Sequence, residues 1–243
     1  MGRLPVTEQG SASESGLRRT QYFPTTHATW FIEHARGDES ALAAVAARVI
    51  ERYAQPLEAY AQGSSLREIG EPRELVHGFL IAKFGSPAAC RAYLEAWNAS
   101  GLTLRRWMMN GLLLHVRGIV RDAQRSREKP LDASIASIAS EQPDPAAAFE
   151  RAWARAILAE ACAQVEQVLV AEGRDRAWRV FRLHALDGVP YRDLEAEFAL
   201  SRQQMADLVR GVTARLRARI RELLDEEGRF GDDGIDEIVR LLT

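Results

Sequence analysis

The chain has 243 residues, 47% hydrophobic and 27% charged, with a formal net charge of -2, enough to bury one large or two small cores. That balance excludes a bulk polyelectrolyte, so any nucleic-acid signal must lie in local clusters. Cys90 and Cys162, far apart and without Cys/His spacing, exclude a disulfide scaffold and a zinc module and read as buried small hydrophobes in a reducing compartment.

No apolar run reaches bilayer length, and the opening MGRLPVTEQGSASESG lacks the apolar centre of a signal peptide. A cytoplasmic chain without membrane attachment is therefore expected. Residues 1–20 are small and polar and read as a loose tail. From Thr26 the apolar spacing is helical: Trp30, Phe31 and His34 share a face, then Ala41, Leu42, Val45, Val49, Ile50 and Tyr53 follow at three- and four-residue steps. Asp38, after the Gly37 break, is placed to cap that helix. Pro56 marks a helix start or a kink, and QGSS at 62–65 a loop. Glu71-Pro72 opens another helix, proline being tolerated in a first turn. It turns Leu75, Val76, Phe79, Leu80 and Phe84 inward and stops at Gly85-Ser86-Pro87. Helical stretches over 87–98 and 102–127 follow.

The run PLDASIASIASEQPDPAAA, 130–148, has three prolines, many small residues and no sustained apolar face. That is the composition of an interdomain linker. Helix resumes at Phe149, with Trp153, Ile157, Val165 and Val168 on one stripe, and again over 177–186, closed by Asp187-Gly188. No segment demands a strand. The expected fold is all-α, with two helical domains joined by a flexible linker: one over 21–129, the linker over 130–148, and a second domain over 149–226. An acidic tail over 227–243 ends the chain and holds a last helical segment, IDEIVRLL.

Within the second domain, YRDLEAEFALSRQQMADLVRGV (191–212) reads as two short helices broken at Ala199-Leu200-Ser201, the outline of a helix-turn-helix. Leu194, Phe198, Leu200, Met205 and Leu208 fill the apolar places that hold such helices together, and Ser201 can cap the second. Two positions depart from the usual pattern. Glu195 stands at the crossing, where a small residue is expected, and Ala199 stands where the turn prefers glycine. On the second helix Gln203 and Gln204 suit adenine edges, Arg202 a guanine or a phosphate, and Arg210 a phosphate, with Asp207 among them. A following helix adds Arg215, Arg217, Arg219 and Arg221. These either neutralise phosphate or form a solvated face balanced by Glu222, Asp225 and Glu226.

A second basic concentration is LRRWMMNGLLLHVRGIVRDAQRSREK. It sets Arg105, Arg106, Arg117, Arg121, Arg125, Arg127 and Lys129 along one helical segment with Trp107. Cations beside an exposed aromatic ring suit single-stranded DNA, the ring stacking on a base while the charges track the backbone. The competing place for Trp107 is the core.

This order of parts resembles bacterial RNA polymerase sigma factors of the extracytoplasmic-function type, in the sigma-70 family, which keep only the second and fourth conserved regions. FPTTHATWFIEHARGDESALAAVAARV…YAQPLEAYA, from Phe23, is similar to the opening of one subgroup. RELVHGFLIAKF (73–84) resembles its Leu-Val-Gln-Gly-Phe helix, with His77 for glutamine, and GDDGIDEIVRLLT resembles its acidic helical end. The likeness covers nearly everything past residue 20 and rests on the order of loose motifs. It implies a factor that binds core RNA polymerase and directs promoter recognition and transcription initiation. Glu74, Leu75, Val76, Phe79 and Leu80 would meet the polymerase clamp helices, their apolar members shared with the domain core. Arg105, Arg106, Trp107, Arg117 and Arg121 would face the minus-ten element and hold the melted strand. The linker would run toward the RNA exit path, with Glu141 and Asp144 imitating nucleic-acid charge. Ser201, Arg202, Gln203, Gln204 and Arg210, with Arg215 and Arg217 behind them, would bind the minus-thirty-five element. Ala206 stands where the family's reading helix usually carries lysine.

Core polymerase and promoter DNA are thus the implied partners, with an anti-sigma factor as a candidate third. A sigma-like protein that binds polymerase or a regulator without promoter activity is the alternative. A plain helix-turn-helix regulator with a sensing domain is a third. No enzyme is expected, for there is no Gly-rich phosphate loop, nucleophile elbow or His-Glu-x-x-His. His27 and His34 share a helical face, but no cysteine or paired carboxylate nearby adds a third metal ligand. His77, His115 and His184 read as packing or surface residues, and no cofactor is expected.

Overall fold

The computed structural model describes residues 30–125, 144–227 and 234–242, and among these every regular element is helical. The loose tail, most of the linker and His27 lie outside the described residues. Helix α1 (Trp30–Ala35) is short, and α2 (Glu39–Gly63) begins at Asp38, whose Oδ1 accepts the Ala41 N–H at 2.9 Å. That is the cap the sequence placed there. Pro56 lies inside α2 and is buried. It removes the N–H that would reach the Arg52 carbonyl, a loss the helix absorbs through packing on both sides. Ser64 closes α2 and leads into one 3-10 turn over Ser65–Glu68.

Helices α3 (Pro72–Phe84), α4 (Pro87–Ser100) and α5 (Leu104–Arg125) pack around α2. The Ser86 hydroxyl caps α4 by accepting the Ala89 N–H, and Gly101 ends it at φ 73°, a conformation open to glycine without cost. Tyr93 of α4 sits among the rings of Phe79, Phe84 and Trp107, and its hydroxyl donates to the Trp107 carbonyl at 3.3 Å. Gly111 of α5 faces this group. A Cβ there would collide with Tyr93 Oη and come 3.0 Å from the Phe79 ring. Overpacking costs roughly 1–3 kcal/mol, against about 1 kcal/mol of helix propensity gained. Gly111→Ala is therefore expected to lower stability by roughly 1 kcal/mol, read as a lower urea midpoint at unchanged slope.

Helix α6 (Pro145–Ala171) starts from Asp144, whose side chain accepts the Ala146 N–H. Residues 145–148, assigned to the linker from composition, are its first turn, and Asp144 is occupied as its cap. Proline at the first helical position makes this a start signal. The buried stripe of α6 runs Phe149, Trp153, Ala154, Ile157, Ala161, Val165, Leu169, whereas Val168 is 51% exposed. Val168 is thus no part of the stripe: the helical repeat brings Leu169 onto it instead.

Helix α6 lies along α2, and residues from both halves of the chain share one apolar core. From α2 it includes Val45, Val49 and Tyr53, from α6 Phe149, Trp153 and Ile157, and from the last helices Leu216, Ile220 and Ile238.

Helix α7 (Asp175–Phe181) covers only part of the expected 177–186 helix, because the backbone widens to a π turn over Arg182–Leu186. Helices α8 (Tyr191–Phe198) and α9 (Arg202–Asp225) follow. The two successive helices read from 202 onward are one continuous helix, in which Gly211 costs only about 1 kcal/mol of propensity and no proline interrupts the chain. Helix α10 (Gly234–Leu242) packs on α6 and α9. None of the described helices is long and apolar enough to cross a membrane.

Candidate nucleic-acid interface

Helix α5 is amphipathic, and its two faces separate the residues that sequence grouped together. Leu104, Met108, Met109, Leu112 and Val116 are buried, whereas Arg106, Arg117 and Arg121 are exposed. At 100° per residue these three arginines fall within about 60° of one another, so they form a row along one side of the helix. None of them is paired with a carboxylate among the described residues. Tyr60 of α2 borders this row. Burial raises its pKa, and the charges of Arg106 and Arg117 partly oppose the rise. Leu114, 65% exposed, adds apolar surface to the same helix.

Two of the expected DNA ligands do not join the row. Trp107 is half-buried against the core and Tyr93. Trp107 is therefore shared between the core and the surface. Arg105 is 7% exposed. Its guanidinium lies 4.0 Å over the Trp153 ring, pairs with Glu150, and reaches Glu237 at 3.3 Å. One residue of helical rotation separates Arg105 from Arg106 and sends the first inward.

Helices α8 and α9 meet through a three-residue turn. Ala199 takes the left-handed conformation at φ 46° and ψ 47°, at the position where the sequence pattern favours glycine. Left-handed backbone costs a residue with a Cβ about 1–2 kcal/mol, part of which glycine returns through unfolded-state entropy. Ala199→Gly is accordingly expected to stabilise the chain by roughly 0.5–1 kcal/mol in thermal unfolding. Glu195 does not block the crossing; it turns outward and accepts Arg202 Nε at 2.8 Å.

The residues expected to read bases are engaged within the chain. The Ser201 hydroxyl accepts the Gln204 N–H while Gln204 Oε1 accepts the Ser201 N–H at 2.9 Å, a full capping box. Gln203 donates to Asp207 at 3.2 Å, and Arg210 pairs with the same carboxylate at 3.0 Å. Arg215 pairs with Glu172 at 2.8 Å, and Arg219 with Glu222 and Glu226. Arg217 and Arg221, four apart and exposed, have no such partner among the described residues.

On α3, Leu75, Val76, Phe79 and Leu80 are at most 9% exposed. These four lie in the core, and other residues form the outer face of the helix. There Arg73, Glu74, His77 and Ile81 are exposed, Ile81 by 56%. The apolar face of an amphipathic helix is spent on its own domain first. Cys90 is buried, which pushes its thiol up to about 11 and makes it inert at neutral pH. Burial and Lys83 both lower the pKa of His115, which packs on Phe79.

A buried charge cluster that sequence reasoning missed lies between the halves. Arg52 of α2 is 2% exposed and donates to Glu160 at 2.9 Å, Glu226 at 3.1 Å and Glu227 at 3.2 Å. Arg48, one turn earlier, donates to Glu160 and Glu226. Glu227 is 1% exposed and also accepts Trp153 Nε1 at 3.4 Å. No protein-family model, no curated protein and no solved structure matches this chain.

Proposed function

We propose that this chain is a sigma factor of the extracytoplasmic-function type, which binds core RNA polymerase and directs it to promoters. The observation that carries the reading is the row of Arg106, Arg117 and Arg121 on α5, exposed and without carboxylate partners among the described residues. Such a row in a chain of near-neutral net charge is a local electrostatic footprint for a phosphate backbone. Tyr60 beside it offers a ring for an unstacked base. The α8–α9 pair, as a helix-turn-helix, is the second element, with Arg217 and Arg221 placed to meet phosphate. The outer face of α3, with Glu74, His77 and Ile81, is the surface for polymerase. All catalysis belongs to the polymerase in this reading.

One observation favours the alternative, a sigma-like protein that binds polymerase or a regulator without reading promoters. Arg202, Gln203, Gln204 and Arg210, the expected DNA contacts at the start of α9, all have intramolecular partners. The two readings part in a reconstituted assay with purified chain, bacterial core polymerase and a library of promoter fragments. Core binding with selective initiation supports the sigma factor, core binding alone the alternative, and absence of core binding overturns the sigma factor and the polymerase-binding form of the alternative, leaving only a regulator as partner.

A further inference from the structure

At 65% exposed, Leu114 of α5 exceeds Ile81, Val170 and Val239, the next large apolar side chains among the described residues. It borders the arginine row. At 100° per residue it falls about 20° past Arg121 and about 60° past Arg117. One turn further along, Gly118 leaves the helix surface bare. A Cβ built there meets nothing within 4 Å, and the residue lies well inside α5. Neither packing nor backbone conformation within the chain calls for glycine at 118, and glycine weakens a helix interior relative to alanine. Gly111 differs, because its missing Cβ makes room for Tyr93 and Phe79. The room at Gly118 faces outward.

We infer that Leu114 and Gly118 form a notch that seats one unstacked base of a bound strand, with neighbouring phosphates on Arg117 and Arg121. The inference rests on the reading of α5 as a nucleic-acid surface. Leu114 and Asp122 are eight residues apart, about 12 Å along the axis, with Gly118 midway between them. A base is about 3.4 Å thick, by the rise of a stacked strand, so it fits over Gly118 against the Leu114 methyls. Asp122 bounds the far side, where its carboxylate lies 3.8 Å from Arg125, which offsets part of its charge. Charge selects the occupant. Arg117 and Arg121, exposed beside the notch, favour a polyanion. Leucine supplies what arginine on phosphate does not, an apolar contact with the bases themselves.

The test measures binding of the full chain to two fluorescent single strands of about 12 nucleotides. One carries mixed bases, the other only abasic sugars, and both are titrated across salt concentrations. Leu114→Ala and Gly118→Gln are compared with the parent chain. Both positions are open, so both variants should fold, Gly118→Gln with a urea midpoint at or above the parent's. Leu114→Ala should bind the base-bearing strand about fivefold more weakly, the loss expected for about half of a leucine's burial. Its salt slope should not change, because an apolar contact releases no counterions. Gly118→Gln fills the notch and should lose about fivefold or more on the same strand. Neither variant should lose affinity for the abasic strand, whereas loss of the arginines should flatten the slope on both. Parent-level affinity for the base-bearing strand in either folded variant overturns the notch, and so does an equal loss on the two strands. If one variant fails to fold, the other decides alone. Parent binding that does not fall with salt overturns the row and the notch together. Strand binding as expected, without binding to core polymerase, overturns the sigma reading and leaves the notch standing.

Discussion

Arg52→Ala is expected to cost roughly 3–5 kcal/mol, a large part of the total stability of an ordinary domain. The guanidinium is wholly enclosed and is the direct counter-charge of Glu227, which has no route to water. Removing it leaves a buried carboxylate steadied by the adjacent Tyr53 hydroxyl, the charge of Arg105 and the Trp153 N–H. Glu160 and Glu226 are less affected, because each keeps Arg48 and some solvent. Replacing both members of the pair by apolar residues, Arg52→Met with Glu227→Met, should recover most of the loss, since a buried pair is often no better than good packing. The double-mutant cycle then gives the coupling directly. The pH dependence has a definite sign. Burial raises the Glu227 pKa above its ordinary 4.5, and Arg52 is the strongest influence holding it down. Without Arg52 the carboxyl takes a proton at higher pH. A group whose folded pKa is raised favours the folded state once it is protonated. The deficit of Arg52→Ala should therefore be fullest at alkaline pH and shrink as pH falls toward the ordinary carboxylate range. Chemical denaturation at several pH values measures this; a deficit that grows on acidification would sink the account.

Arg52 also shows what sequence patterning could and could not reveal. It stands three residues after Val49, on the stripe that Leu42, Val45 and Val49 define, and an arginine in that position requires a carboxylate partner. The need was legible. The identity of the partner was not, because Glu160, Glu226 and Glu227 lie more than a hundred residues away. Local devices were readable for the opposite reason. The Asp38 cap, proline in the first turn of α3, and Ser201 ahead of α9 each act within four residues. The same holds for the demand placed on Ala199, whose left-handed backbone follows from its place in the turn. What failed was the step from charge to availability. A helix turns 100° per residue, so Arg105 and Arg106, adjacent in sequence, face opposite environments. The expected reading helix, α9, has its own acceptors, Glu195 in front and Asp207 within. Sequence counts those arginines and glutamines as ligands for DNA; the structure adds that each also has a neighbour within the chain, in exposed pairs that hold it only weakly. On α3 the apolar residues expected to be shared between core and partner are buried in the core, Leu75 keeping the most surface at 9%.

The row on α5 yields the other large effect. Arg106→Ala, Arg117→Ala and Arg121→Ala combined should flatten the salt dependence of single-strand binding by roughly 2, at about 0.7 for each phosphate no longer neutralised. Extrapolated from about 1 M to about 0.1 M salt, that is about a hundredfold loss of affinity. Stability should barely move, because exposed substitutions away from caps and pairs change it by about 0.5 kcal/mol or less each. This separation of effects is what makes the row testable against its neighbour. Arg105→Ala would instead act on the fold, through Glu150, Glu237 and the Trp153 face. Arg125 is a useful control on the same helix, since it is exposed and already near Asp122 at 3.8 Å. Losing Arg125 alone should cost less than losing any one of the three. If the triple variant keeps both its fold and its salt slope, the row is only a solvated face. The nucleic-acid surface would then have to be sought at Arg217 and Arg221, where α9 offers other exposed cations without carboxylate partners among the described residues. That outcome would confine the proposed DNA contact to the second half of the chain.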